Sequence, residues 1–161
     1  MITKTEYEKL WELIKPVKAG MLTTWTGQMI HARPMQHVNE NLEEGILYFF
    51  TNAGKGKAEE MERYEDICIT YANHQTSKYV SISATAEVVH DKELINKYWN
   101  MFVSAWFPEG KDSPDLRILK IHPYAAEYWD SPESKMVQLF KIVKANVTST
   151  MPDMGTNRRF S

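Results

Sequence analysis

At 161 residues the chain has room for one domain that buries roughly two-thirds of its unfolded surface. Nineteen Lys and Arg against 21 Asp and Glu leave a formal net charge of -2, which excludes a general electrostatic pull toward nucleic acid or anionic membrane. The apolar runs, such as 46–50, are far shorter than a bilayer crossing, and the N-terminus reads as a charged helix with no signal-peptide core, so a soluble, cytoplasmic protein with neither nucleic-acid nor membrane partner is expected.

Thr3-Lys4-Thr5-Glu6 offers a capping box, and Tyr7, Leu10, Trp11, Ile14 and Val17 follow at helical spacing until Pro16 and Gly20. Two strands, 21–25 and 30–38, flank the turn Thr26-Gly27-Gln28 as a hairpin. Pro34 lacks an N–H, which puts the second strand at an edge or gives it a bulge. The run 46–51 is apolar on both faces and predicts a central strand. A short helix is expected over 57–64 and a strand over 67–72. Residues 79–89 alternate, with Val80, Ile82, Ala84, Ala86 and Val88 on one face, as a long half-exposed strand does.

Asp91 can cap a helix reaching about residue 107. Its apolar stripe, from Leu94 through Trp99 to Trp106 and Phe107, steps by four and one, so it drifts around the cylinder and is too wide for a single contact. Two surfaces, in one chain or two, would cover it. Strands 116–121 and 125–129 follow, separated by His122-Pro123. Residues 1–147 thus form one domain, and the polar residues 148–161, with Pro152 and Gly155, predict a poorly ordered tail. Six or seven short strands with two or three helices suggest an α+β domain built on an antiparallel barrel. Five Trp, 8 Tyr and 6 Phe exceed the needs of a small core, so some should face a ligand or another subunit.

Thr51-Asn52-Ala53-Gly54-Lys55-Gly56-Lys57-Ala58 lies between a strand and a helix, where backbone N–H groups and a helix dipole converge in phosphate sites. Lys55 and Lys57 add formal charge, and Arg33, about 20 residues upstream, has the planar fork that clamps such an anion. The spacing is neither a Walker A loop nor a dinucleotide fingerprint. Glycine with lysine is also common in surface turns, and Arg33 can equally pair with a carboxylate, so the residues alone leave the phosphate site open.

Other chemistries find less support. The five histidines lack metal-ligand spacing, and Ser81 and Ser83 lack a nucleophile elbow. His31 and His37 share a strand face with Arg33 and Met35; solvent exposure is the expectation, cofactor contact the alternative. Cys68, the single cysteine, cannot form an internal disulfide and reads as packing. The acidic cluster Glu59, Glu60 and Glu62 reads as a solvated helix face.

Seven blocks occur in one order: Ala32-Arg33-Pro34-Met35, Tyr48-Phe49-Phe50-Thr51-Asn52-Ala53-Gly54 with Lys57, Tyr79-Val80-Ser81-Ile82-Ser83, Ala86-Glu87-Val88-Val89-His90-Asp91, Ala105-Trp106-Phe107-Pro108-Glu109-Gly110, Ser113-Pro114-Asp115-Leu116 and Ala126-Glu127-Tyr128-Trp129-Asp130. From about residue 20 to about 147, this series resembles the general stress protein branch of the pyridoxamine 5'-phosphate oxidase-like, FMN-binding split-barrel superfamily. The resemblance implies a split antiparallel β-barrel with flanking helices, a homodimer, and FMN at the subunit interface. It would place Arg33 and Lys57 on the FMN phosphate, with Thr51 and the following turn, Lys55 included, around it. Pro34, Met35, Gln36 and Phe50 would border the flavin ring and ribityl chain, and Trp106 would approach from the partner.

Two departures matter. Lys55 stands where the family often has serine, which adds a charge and removes a hydroxyl. After Glu127-Tyr128-Trp129 comes Asp130-Ser131-Pro132-Glu133 instead of the arginine- and histidine-containing substrate segment of pyridoxamine phosphate oxidases, and carboxylates there would repel a substrate phosphate. The expected function is therefore an FMN-dependent oxidoreductase of the general stress protein type, with NAD(P)H or a small molecule as redox partner. A non-catalytic flavin-binding sensor or reservoir is the alternative, with a deazaflavin or haem as other cofactors within the superfamily. No catalytic acid or base stands out.

Overall fold

In a computed structural model describing residues 2–42, 44–54, 66–130 and 156–161, Thr3 and Glu6 form the predicted capping box. The Thr3 amide donates to Glu6 Oε2 at 2.6 Å, and the Glu6 amide donates to Thr3 Oγ1 at 3.4 Å. The helix they start, α1 (Lys4–Ile14), buries Leu10, Leu13 and Ile14. The predicted helix over 57–64, with its acidic cluster, and Lys55 and Lys57 lie outside the described residues.

Seven antiparallel strands follow among the described residues: β1 (Ala19–Trp25), β2 (Ile30–Gln36), β3 (Leu47–Asn52), β4 (Asp66–Asn73), β5 (Lys78–Val89), β6 (Leu116–Asp130) and β7 (Thr156–Phe160). Their order is β2-β1-β4-β5-β6-β3, with β7 also on β6. The sheet is not a closed ladder among the described residues. Among the described residues its terminal strands β2 and β3 approach through one backbone–backbone bond just beyond β2, from the Val38 amide to the Tyr48 carbonyl at 2.9 Å. This is an α+β split-barrel architecture, as the sequence predicts.

Four differences from the sequence-based expectation have physical causes. First, β3 is not central in the ladder but terminal. Both its faces are buried because it lies between two apolar clusters: Leu47 and Phe49 join the core under α1, whereas Tyr48 and Phe50 join a second core with Leu116 and Ile118. Second, β6 is one strand of 15 residues, not two. The register with β5 shifts where Ser83 faces Ala125 and Ala84 faces Pro123, so Tyr124 is an extra residue in a bulge that accommodates the proline.

Third, the helix expected from Asp91 is two helices, α2 (Lys92–Tyr98) and α3 (Met101–Trp106). Trp99 is extended, and Asn100 restarts the helix by accepting from the Phe102 and Val103 amides at 2.9 and 3.0 Å. The break divides the wide apolar stripe: Ile95 and Val103 pack on the second core, while Met101, Phe102 and Trp106 are exposed. Fourth, the polar tail predicts poor order, yet Thr156–Phe160 pairs with β6 from Asp130 to Ala126, and Phe160 packs on Tyr128 with ring centroids 5.4 Å apart.

Candidate functional site

The terminal position of β2 generates the site. Its Pro34 and Gln36 face outward and Met35 inward, and beyond Gln36 the chain crosses the end of the barrel toward β3. A cavity of about 720 Å³ opens there, between the C-terminal end of α1, the 34–40 segment, Phe50 of β3, and α3 with Phe107. A volume of that size suits an organic cofactor or substrate. Of the residues expected at a flavin, Pro34, Met35, Gln36 and Phe50 line this one cavity, and Trp106, expected to approach from the partner, lines it from the same chain. Trp106 retains 80% of its exposure, so its indole is available to a ligand or a second chain. Phe50 packs against Trp99 and Phe107, each with a ring centroid 5.9 Å away.

Arg33 and Thr51 are not among the cavity-lining residues. Arg33 Nη2 donates to Thr24 Oγ1 at 2.7 Å and lies 3.2 Å from His31 Nδ1. Thr51 is 1% exposed, and its Oγ1 has no hydrogen-bond partner among the described residues. A buried hydroxyl without a partner costs free energy. The aromatic-walled cavity has the size and lining for a flat aromatic cofactor, while Thr51, next to Phe50 on β3, turns its hydroxyl to the other side of that strand.

The cavity also has walls that the sequence did not single out. Trp11, which helical spacing reads only as part of the apolar face of α1, lines it together with Lys15 and Lys18 from the end of the helix and the turn after it. His37, for which exposure was the expectation, is 6% exposed. Its ring packs against Trp11 at 5.3 Å and Phe49 at 6.4 Å, and Nδ1 lies 3.3 Å from the Tyr71 hydroxyl. Burial, reinforced by the Lys18 charge, pushes its pKa down from 6.5 to about 4, so the imidazole is neutral near pH 7. Tyr71 is raised well above the usual phenol range by burial. His31, in contrast, is exposed. Among the described residues no cluster of His, Cys, Asp or Glu could hold a metal ion, and no helix is long and apolar enough to cross a membrane.

Similarity to known proteins runs the same way. General stress protein 26 of Bacillus subtilis is 28% identical over 135 residues, covering 82% of this chain and 94% of that protein. Protein bli-3 of Neurospora crassa is 25% identical over 123 residues, which is 71% of this chain but only 59% of that longer relative. Among solved structures, a general stress FMN/FAD binding protein from Xanthomonas citri superposes with a TM-score of 0.72 at 26% identity, covering 82% of this chain and 93% of that one. General stress protein 26 of Bacillus anthracis shares the fold, with a TM-score of 0.67 at 24% identity over 79% of this chain and 95% of its own. The family model described as pyridoxamine 5'-phosphate oxidase like matches residues 5–153, nearly the whole domain that carries the cavity, and by that match the chain belongs to the pyridoxamine 5'-phosphate oxidase-like family.

Proposed function

We propose that this chain binds FMN and works as a flavin-dependent oxidoreductase. The convergence of Pro34, Met35, Gln36, Phe50 and Trp106 on one cavity carries the reading. The Xanthomonas citri structure, an FMN/FAD binding protein by its description, supports a flavin. When bound, the flavin supplies hydride or electron transfer. The chain's part is to orient the ring and limit water. Phe50 and Met35 give an apolar wall, Trp106 an open aromatic one, and Gln36 and Asn100 polar contacts at the rim. His37, neutral and buried, adds no charge to that wall near pH 7. Arg33, Thr51, Lys55 and Lys57 are the residues proposed to hold the phosphate.

Exposed Met101, Phe102 and Trp106 on one short helix favour a homodimer that completes the flavin cleft, because contiguous apolar surface of this kind is otherwise left in water. Oxidation of vitamin B6 phosphates is not part of the proposal. Of the carboxylates expected to repel a substrate phosphate, Asp130 is paired with Lys9 and Lys78 at 3.2 and 3.3 Å, and Glu133 lies outside the described residues. The missing arginine- and histidine-containing segment remains the reason. The test is the absorption spectrum and mass of the copurifying ligand, followed by anaerobic NADH or NADPH: bleaching that air reverses supports an oxidoreductase. A flavin that no reductant bleaches leaves a binding protein without turnover.

A further inference from the structure

We propose that Lys15 and Lys18 make the α1 end of the cavity an anion subsite, which takes the negatively charged substituent of a planar aromatic second ligand beside the flavin. Both lysines line the cavity, and among the described residues neither forms an ion pair. Among the described residues Glu40 is the one carboxylate in the same lining, so the balance of charge among them is positive. Trp11, one helical turn from Lys15, lines the same space and adds an aromatic side chain to it.

The backbone at Lys18 gives a second, independent reason. Its φ is +63°, in the left-handed region that glycine adopts without cost. The Lys18 amide caps the helix by donating to the Ile14 carbonyl at 3.1 Å, and the Lys18 carbonyl accepts from the His37 amide at 3.3 Å. Glycine would make the same two bonds with less strain. A lysine held there against its backbone preference points to use of the side chain. Its charge reaches the cavity wall, since it lowers the proton affinity of His37.

The assignment rests on the flavin reading only in giving the Phe50 and Trp106 wall to the cofactor. The test uses the full chain, with and without saturating FMN, and two probes of equal shape, 2-naphthoate and 2-naphthamide, followed by tryptophan fluorescence. Naphthoate is expected to bind about tenfold more tightly than naphthamide at low ionic strength, and the preference to shrink as salt is raised. In a Lys15→Gln, Lys18→Gly variant it should fall to about twofold or less. Lys18→Gly alone should keep or raise the denaturation midpoint while reducing the preference, which separates loss of the site from loss of the fold. Equal affinity for the two probes in the wild type, or an unchanged preference in the double variant, would overturn the proposal. So would variants that lose FMN while keeping the naphthoate preference, since the lysines would then belong to the cofactor. If FMN fails to bind the wild type but the lysine-dependent preference persists, the flavin reading falls and the subsite stands.

Discussion

The ring of Tyr7 fills the space that any side chain at Gly45 would need: a Cβ there would lie 2.6 Å from Tyr7 Cζ and 2.9 Å from its hydroxyl oxygen. The same hydroxyl donates to the Pro123 carbonyl at 3.3 Å, so this one ring joins α1, the turn before β3 and the bulge of β6. Gly45 also has φ +69°, which a residue with a Cβ adopts only with strain. Gly45→Ala is expected to lower stability by about 3 kcal/mol, combining backbone strain with overpacking. Urea denaturation measures it. In a Tyr7→Leu background the cost should shrink to the backbone part, and an undiminished cost would show that the ring contact carries none of it.

His37 makes the fold sensitive to acid. Its pKa is about 4 in the folded protein against 6.5 when solvated, so between those values the unfolded chain binds more protons. The contribution of the neutral, buried ring is therefore complete above about pH 6.5 and is lost as pH falls toward 4. The total is on the order of 3 kcal/mol. Denaturation midpoints measured across that window should decline in the wild type and flatten in His37→Gln, which cannot titrate. Equal slopes in the two proteins would contradict the assignment.

Asn39 latches the open side of the barrel. Its Oδ1 accepts the Tyr48 amide at 2.8 Å, and its Nδ2 donates to the Ile46 carbonyl at 2.7 Å and the Asn41 carbonyl at 3.1 Å. One side chain thus does at the start of β3 what a neighbouring strand would do elsewhere. Asn39→Ala should cost on the order of 2 kcal/mol and speed hydrogen exchange at the Tyr48 amide selectively. Asn39→Asp keeps the acceptor for Tyr48 and should protect that amide while losing both donor bonds.

The sequence was most legible where a local rule has one outcome. Thr3 with Glu6 gave the first helix, and the alternation of Val80, Ile82, Ala84 and Ala86 gave the buried face of β5. The cavity wall on β2 and β3 was legible through the family resemblance, which named Pro34, Met35, Gln36 and Phe50 together but expected Trp106 from the partner. What escaped were features set by tertiary placement. Burial on both faces of β3 comes from two cores and says nothing about its place in the ladder. A histidine next to a strand end reads as exposed until Trp11 and Tyr71 are seen around it. Asn100 within an apolar stripe looks like a tolerated polar residue, yet it is the cap that divides the helix.

Thr51 allows the cofactor site to be tested by opposite signs. With no partner among the described residues, its buried hydroxyl is a net cost without a ligand, and valine has nearly the same shape without it. Thr51→Val is therefore expected to raise the stability of the ligand-free protein by about 1 kcal/mol. If the hydroxyl serves the flavin phosphate, the same substitution removes a hydrogen bond to a charged group and should weaken FMN binding by about tenfold. Urea unfolding without flavin and a fluorescence titration with FMN measure the two effects separately. A purely structural threonine would move stability alone, and a weakened FMN affinity in a chain that has become more stable has no explanation in a damaged fold.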